Sequence, residues 1–247
     1  MNDTGDEPFR DELFDELEKA GTTPSMTIVG TIDKALILLI IVLVVAALTW
    51  TYIPDFIPVM LGAVVGAFVV GFVTSFRTSL SPYTAPLFAV LEGVFLGGFS
   101  RWMETLYPGI VPEAIALTFC VFFLLLLAFR ARLICATERL RSVILGSMGA
   151  IILFYLGGMV LSALGISFGL TGVWGWISVA FSFAVVVVAA VSLVLDFDYI
   201  EQGVENGLPR RHEWYAAFTL LVTLVWLYLE ILKLLMKLRI LLQRARS

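Results

Sequence analysis

Three carboxylates lie in or at the edge of long apolar runs. They are Glu92 in Ala89-Val90-Leu91-Glu92-Gly93-Val94-Phe95-Leu96-Gly97, Asp196 in Leu195-Asp196-Phe197-Asp198-Tyr199-Ile200-Glu201, and Glu230 in Trp226-Leu227-Tyr228-Leu229-Glu230-Ile231-Leu232. A carboxylate at the centre of a bilayer-spanning helix costs roughly 2.5 to 3.5 kcal/mol on insertion scales, so it implies a partner, a proton or a water-filled path. Glu92 falls about eight residues into its run, near mid-depth, and must face other helices. It is either a protonated, hydrogen-bonded structural group or a station for ion or proton passage. Asp196 closes its run, and helical geometry turns Asp198 away from it and puts Glu201 about a turn and a half beyond, so Asp198 and Glu201 are expected in water. Glu230, about sixteen residues into the last run, is the costliest charge by this reading. Two such carboxyls held close share one proton, and a shared proton reads pH.

Little else in the chain carries chemistry. The single histidine, His212, lies between Arg211 and Glu213 in a polar connection, without a metal-binding partner at helical spacing or a nucleophile motif. An intramembrane aspartyl protease needs aspartates on two spanning helices, which Asp196 and Asp198 on one helix end do not provide. No glycine-rich phosphate loop is visible. Cys120 and Cys135, about 22 Å apart if one helix carries both, suit neither a disulfide nor a zinc site. The expectation is a non-enzyme without a cofactor. The net charge of −4 argues against a nucleic-acid partner.

The elements that position these acids follow from hydropathy. With 60% hydrophobic residues, 15% charged residues and a mean hydropathy of +0.98, the chain is a multi-pass membrane protein. Seven apolar stretches, at about 35–53, 56–76, 84–103, 111–130, 142–164, 173–196 and 214–236, each match the roughly twenty residues a hydrocarbon core requires. No period-two alternation is present, which predicts an all-α bundle of seven transmembrane helices in one domain, residues 35–238. An acidic cytoplasmic arm precedes it (1–34) and a basic tail follows (239–247); nothing at the amino terminus reads as a cleaved signal peptide. Lys34, Arg77, the Arg130, Arg132, Arg139 and Arg141 cluster, and Arg210 with Arg211 fall on one side, which places the amino terminus inside. Lys233, Lys237, Arg239, Arg244 and Arg246 break that pattern, because seven spans carry them outside; either the last span tolerates the violation or one segment is re-entrant. Trp50 with Tyr52, Trp102 with Tyr107, and Trp174 with Trp176 mark the outer interface. Gly62 with Gly66, Gly93 with Gly97, and Gly165 with Gly169 leave small-residue notches for close helix packing.

Several of these pieces resemble the Bax inhibitor-1 (transmembrane Bax-inhibitor-motif) family, in particular its bacterial Bax inhibitor-1/YccA-like branch. They are Met26-Thr27 with Gly30-Thr31 and Lys34, Ser81-Pro82-Tyr83-Thr84-Ala85-Pro86 with Leu91-Glu92-Gly93, the Asp196 to Glu201 run, and Glu213-Trp214-Tyr215-Ala216-Ala217-Phe218 leading to Leu227-Tyr228-Leu229-Glu230. The resemblance covers nearly the whole membrane portion. It implies seven helices with the last at the centre, a prokaryotic inner-membrane location, and a pH-sensitive calcium leak governed by acids on helices six and seven. Asp196 matches the aspartate ending helix six. Glu230 stands where relatives carry aspartate in a Leu-Tyr-Leu-Asp run, and Arg77 is similar to a basic residue that latches the closed pore. The implied mechanism has Asp196 and Glu230 sharing a proton when closed, parting when ionised, and holding calcium only transiently, with Arg77 free to pair with Asp196. The connection between the two acids is some ten residues longer than in small relatives, so they meet only if the seventh helix begins before the bilayer or tilts; otherwise Glu230 faces Glu92 or a water file. The alternative is a non-conducting membrane protein that restrains a membrane protease or stress factor, with the acidic arm as its contact.

Overall fold

The computed structural model describes residues 24–52, 56–134, 136–164 and 175–246. The acidic arm before residue 24, Cys135, Trp174 and the Gly165–Gly169 notch lie outside them. Seven helices among the described residues are long and apolar enough to cross a bilayer. They are α1 (Ile28–Tyr52), α2 (Phe56–Phe76), α3 (Ser81–Leu106), α4 (Ile110–Arg130), α5 (Glu138–Ala163), α6 (Gly175–Glu205) and α7 (His212–Arg246), with a 3-10 turn at Thr78–Leu80 leading into α3. Most extend past the apolar stretches that announce them. Polar residues at a helix end reach headgroups and water without breaking the backbone ladder, so hydropathy marks the lipid-filled part of a helix, not its termini.

Local chemistry sets the ends. Thr137 caps α5 by accepting from Leu140 N at 3.2 Å. Gly109 takes φ +82° in the tight turn between α3 and α4. There the Glu104 carboxylate accepts from Gly109 N at 2.5 Å and Val111 N at 3.0 Å, satisfying donors that the start of α4 leaves open.

Helices α1, α3 and α7 run side by side in the same direction. Gly93 and Gly97 make the first contact possible: a Cβ at Gly97 would lie 2.4 Å from the Ala46 carbonyl oxygen, and one at Gly93 would lie 2.9 Å from that of Val42. Gly66 lets α2 close on Leu91 of α3, whereas Gly62 faces open space among the described residues and forms no notch. Phe88 of α3 meets Phe218 of α7 edge to face at 5.0 Å, and Ser100 bonds Tyr228 at 2.7 Å nearly three turns farther along α7. The last helix is the hub, packing against α1, α3, α4 and α6. Helix α5 is peripheral; it packs mainly on α6, and Gly146, Gly149 and Gly157 along it meet no side chain.

Candidate functional site: three tiers of charge along the central helix

The first tier is at the end where α1 and α7 begin. Glu213, in the first turn of α7, is fully enclosed and forms an ion pair with Lys34 of α1. It also accepts from Thr27 N at 2.9 Å and Thr27 Oγ1 at 3.0 Å, while Thr27 Oγ1 accepts from Gly30 N at 3.0 Å. One carboxylate thus serves two helix starts, where the backbone dipoles favour negative charge. Gly30 is required here, because a Cβ would lie 2.4 Å from Glu213 Oε1. The chain before α1 is tied to the same place, with Met26 N donating to Leu208 O at 2.7 Å and Arg210 N to Pro24 O at 2.9 Å. His212 is half-buried as the first residue of α7, its Nδ1 3.2 Å from Pro209 O, and is not a free loop residue.

The second tier holds two acids at one depth. Helix α6 runs on to Glu205, so Asp196 is not at its end but nine residues inside it. The Asp196 carboxyl faces Thr219 and Thr223 of α7, with the Tyr215 phenol nearby. Its Oδ2 is closed to solvent and has no hydrogen-bond partner among the described residues. The two threonines centre eight residues beyond Glu213, about 12 Å along α7. Glu92 reaches the same depth from α3, since Phe88 meets Phe218 one turn below it and Ser100 meets Tyr228 two turns above. Buried at 9% exposure, it makes no hydrogen bond or ion pair among the described residues. Residues 219 and 223 lie almost opposite 218, 221, 225 and 228 on α7, so Asp196 and Glu92 flank the central helix from different sides.

The third tier is at the other end. Glu230 is 1% exposed, and Lys233 Nζ donates to it at 2.6 Å. Trp226 Nε1 donates at 3.2 Å and the Tyr155 hydroxyl from α5 lies at 3.4 Å. Lys233 also donates to Tyr155 Oη at 3.2 Å and stands over that ring. By the Ser100–Tyr228 register, Glu230 is level with Trp102, in the aromatic belt and about 25 Å beyond Glu213. The acid that hydropathy ranks as the costliest is therefore at the rim of the core, with a counter-ion one turn away.

This corrects the shared-proton pair. Asp196 and Glu230 are about 13 Å apart along α7 and have different partners. Glu230 does not face Glu92 either. Arg77 is exposed ahead of the 3-10 turn and makes no ion pair among the described residues. Asp198 accepts from Gln202 Nε2 at 2.7 Å, and Glu201 binds Arg132 of the α4–α5 connection at 2.5 Å, both beyond Asp196 toward the end of α6. Sequence reasoning passed over Glu213 and Lys34 as a pair and over Tyr155 and Lys233. Only the i, i+3 spacing of Glu230 and Lys233 was a visible signal.

No three His, Cys, Asp or Glu side chains cluster as a metal site among the described residues. A cavity of about 110 Å³ between α1, α3, α4 and α7 is lined by Val42, Leu96, Leu221 and Val225, with the bonded Ser100 and Tyr228 hydroxyls at its edge. Walls of that kind offer a cation no replacement for its water.

Comparison with known proteins bears on the whole arrangement. Neither a curated protein nor a solved structure matches the chain. A family model described as Bax inhibitor 1 like matches residues 6–240, which takes in all three tiers. The chain belongs to the Bax inhibitor 1 like family.

Proposed function

We propose that this protein is a cation leak of the membrane, with calcium the favoured ion, controlled at Asp196 and assisted by Glu92. The observation that carries the reading is the Asp196 carboxyl, lodged at mid-depth in the α6–α7 seam with Oδ2 unpartnered among the described residues. Calcium is favoured by family analogy and by the hard oxygen of carboxylates.

The gate works by exchange of hydroxyl protons. Thr219 Oγ1 is 3.0 Å from Ala216 O, and Thr223 Oγ1 is 3.1 Å from Thr219 O. In this scheme the carboxyl is neutral while those hydroxyls donate to the backbone and give it no proton. When Asp196 ionises, the hydroxyls have to turn to it, and Oδ2 still needs water or a cation. The seam then opens to solvent, so flux rises with pH. Glu230, with Lys233 as its counter-ion, keeps the far end in place in this scheme. The amino terminus is cytoplasmic, in a prokaryotic inner membrane.

Calcium uptake by liposomes holding the full chain, followed between pH 5 and 8, tests this. The parent should show flux that increases with pH, and Asp196→Asn, which keeps the shape but does not titrate, should flatten the profile. Glu230→Gln should change flux less than Asp196→Asn. No flux above empty liposomes at any pH would overturn the leak and favour a non-conducting interaction protein. A specific observation supports that second reading: residues 24–27, the root of the acidic arm, are fastened to the start of the central helix.

A further inference from the structure

The basic run that contradicts the expected sidedness is only partly neutralised. Arg239 is accounted for, donating to Glu113 at 2.9 Å and to Pro108 O at 2.7 Å. Lys233 and Lys237 stand four residues apart, on one face of α7, where like charges repel. Glu230, the carboxylate beside them, is taken by Lys233 at 2.6 Å. Lys237 Nζ has only neutral partners, Ser182 Oγ at 2.7 Å and Ser178 O at 3.4 Å, and no carboxylate bonds it among the described residues. Both serines are buried, at 2% and 5% exposure, and small, so they hold the ammonium in a niche of the α6–α7 seam. An ammonium has three donors, which leaves one uncommitted.

Depth identifies what is within reach. Lys237 lies 25 residues beyond His212, about 37 Å along α7 and past a hydrocarbon core of about 30 Å. Trp176, 71% exposed near the start of α6, marks the same interface. The anions concentrated at that depth are lipid phosphates. We propose that Lys237, with Lys233 beside it, binds the phosphate of an anionic phospholipid at the Arg239 end of the α6–α7 seam. The phosphate accepts the free donor of Lys237 and relieves the repulsion between the two ammonium groups. Inorganic phosphate has the same chemistry, so the test includes it separately.

The full chain is purified, and lipid retention is read by native mass spectrometry beside thermal unfolding, in phosphatidylcholine alone, with added phosphatidylglycerol, or with inorganic phosphate. Phosphatidylglycerol should be retained by the parent and raise its unfolding temperature. Lys237→Gln should bind it about tenfold more weakly, and Lys237→Arg should keep most of the affinity. In phosphatidylcholine alone, Lys237→Gln should unfold at or above the parent's temperature, because it removes a like charge; this also reports that the variant is folded. Ser182→Ala, which loses the niche hydroxyl and keeps the charge, should weaken retention by less than Lys237→Gln. Equal retention by the parent and Lys237→Gln overturns the site. Protection by inorganic phosphate with no further gain from phosphatidylglycerol overturns the lipid as its occupant.

Discussion

Glu213 shows how a charge is kept at the rim of a bundle. Its carboxylate is enclosed by its own partners, Lys34 and Thr27. Removing Lys34 leaves the enclosed carboxylate only the exposed Arg210 at 3.6 Å and the Thr27 donors, which is worse than removing both charges. Lys34→Met should therefore lower stability by about 3 kcal/mol, and adding Glu213→Gln should recover most of that loss while the Thr27 bonds remain. Denaturant unfolding of the two variants in detergent checks the order. A double variant no more stable than Lys34→Met would mean that the ion pair is not what holds the start of α7.

Among the elements, α1 and α5 are held by opposite means. Helix α1 is held by backbone approach at Gly93 and Gly97, where the neighbouring atoms include main-chain oxygens that cannot rotate aside. Gly97→Leu should separate α1 from α3 and destabilise by about 3 kcal/mol or prevent folding, whereas Gly62→Leu, in open space, should be tolerated. Comparing the folded yields of the two variants reads the difference. Helix α5 has little packing to lose and depends on Tyr155 reaching Glu230 and Lys233, and on Phe154 against Phe181 at 4.8 Å. Tyr155→Phe should cost about 1 kcal/mol and raise amide exchange in α5 before any other helix. Uniform exchange across the bundle would show that the hydroxyl is not its tether.

For the whole molecule the question is which way it faces. The positive-inside rule counts charges in connections, and here most bases near the α7 terminus are not of that kind. Lys233 and Arg239 are paired within the bundle and Lys237 is seated in its serine niche. Two of these charges are thereby neutralised, as are Lys34 by Glu213 and Arg132 by Glu201, and Arg77 with Arg130, Arg139 and Arg141 governs orientation. A fluorescent reporter at the amino terminus should be bright, and a phosphatase reporter after residue 247 active, in bacterial cells. The reverse pattern would invert every depth assigned to the three tiers relative to the cytoplasm.

Hydropathy and helical periodicity determined the seven spans, the all-α class and the acids worth attention, because a lipid core admits few ways to satisfy a backbone and penalises every charge. The family was legible for a similar reason: the runs around Glu92, Asp196 and Glu230 join chemically costly residues to packing glycines and aromatics. Partners and depth were not legible. Asp196 read as a helix end because apolar residues stop there, yet α6 continues to Glu205 and carries it inward. Glu230 read as the costliest charge because apolar residues surround it, yet Lys233, Trp226 and Tyr155 bond it at the level of the aromatic belt. Register between helices decides both, and register is set by contacts such as Phe88 with Phe218, Ser100 with Tyr228, and Lys237 with Ser182. Those contacts join residues 55 to 130 positions apart in the chain, and no local pattern encodes them.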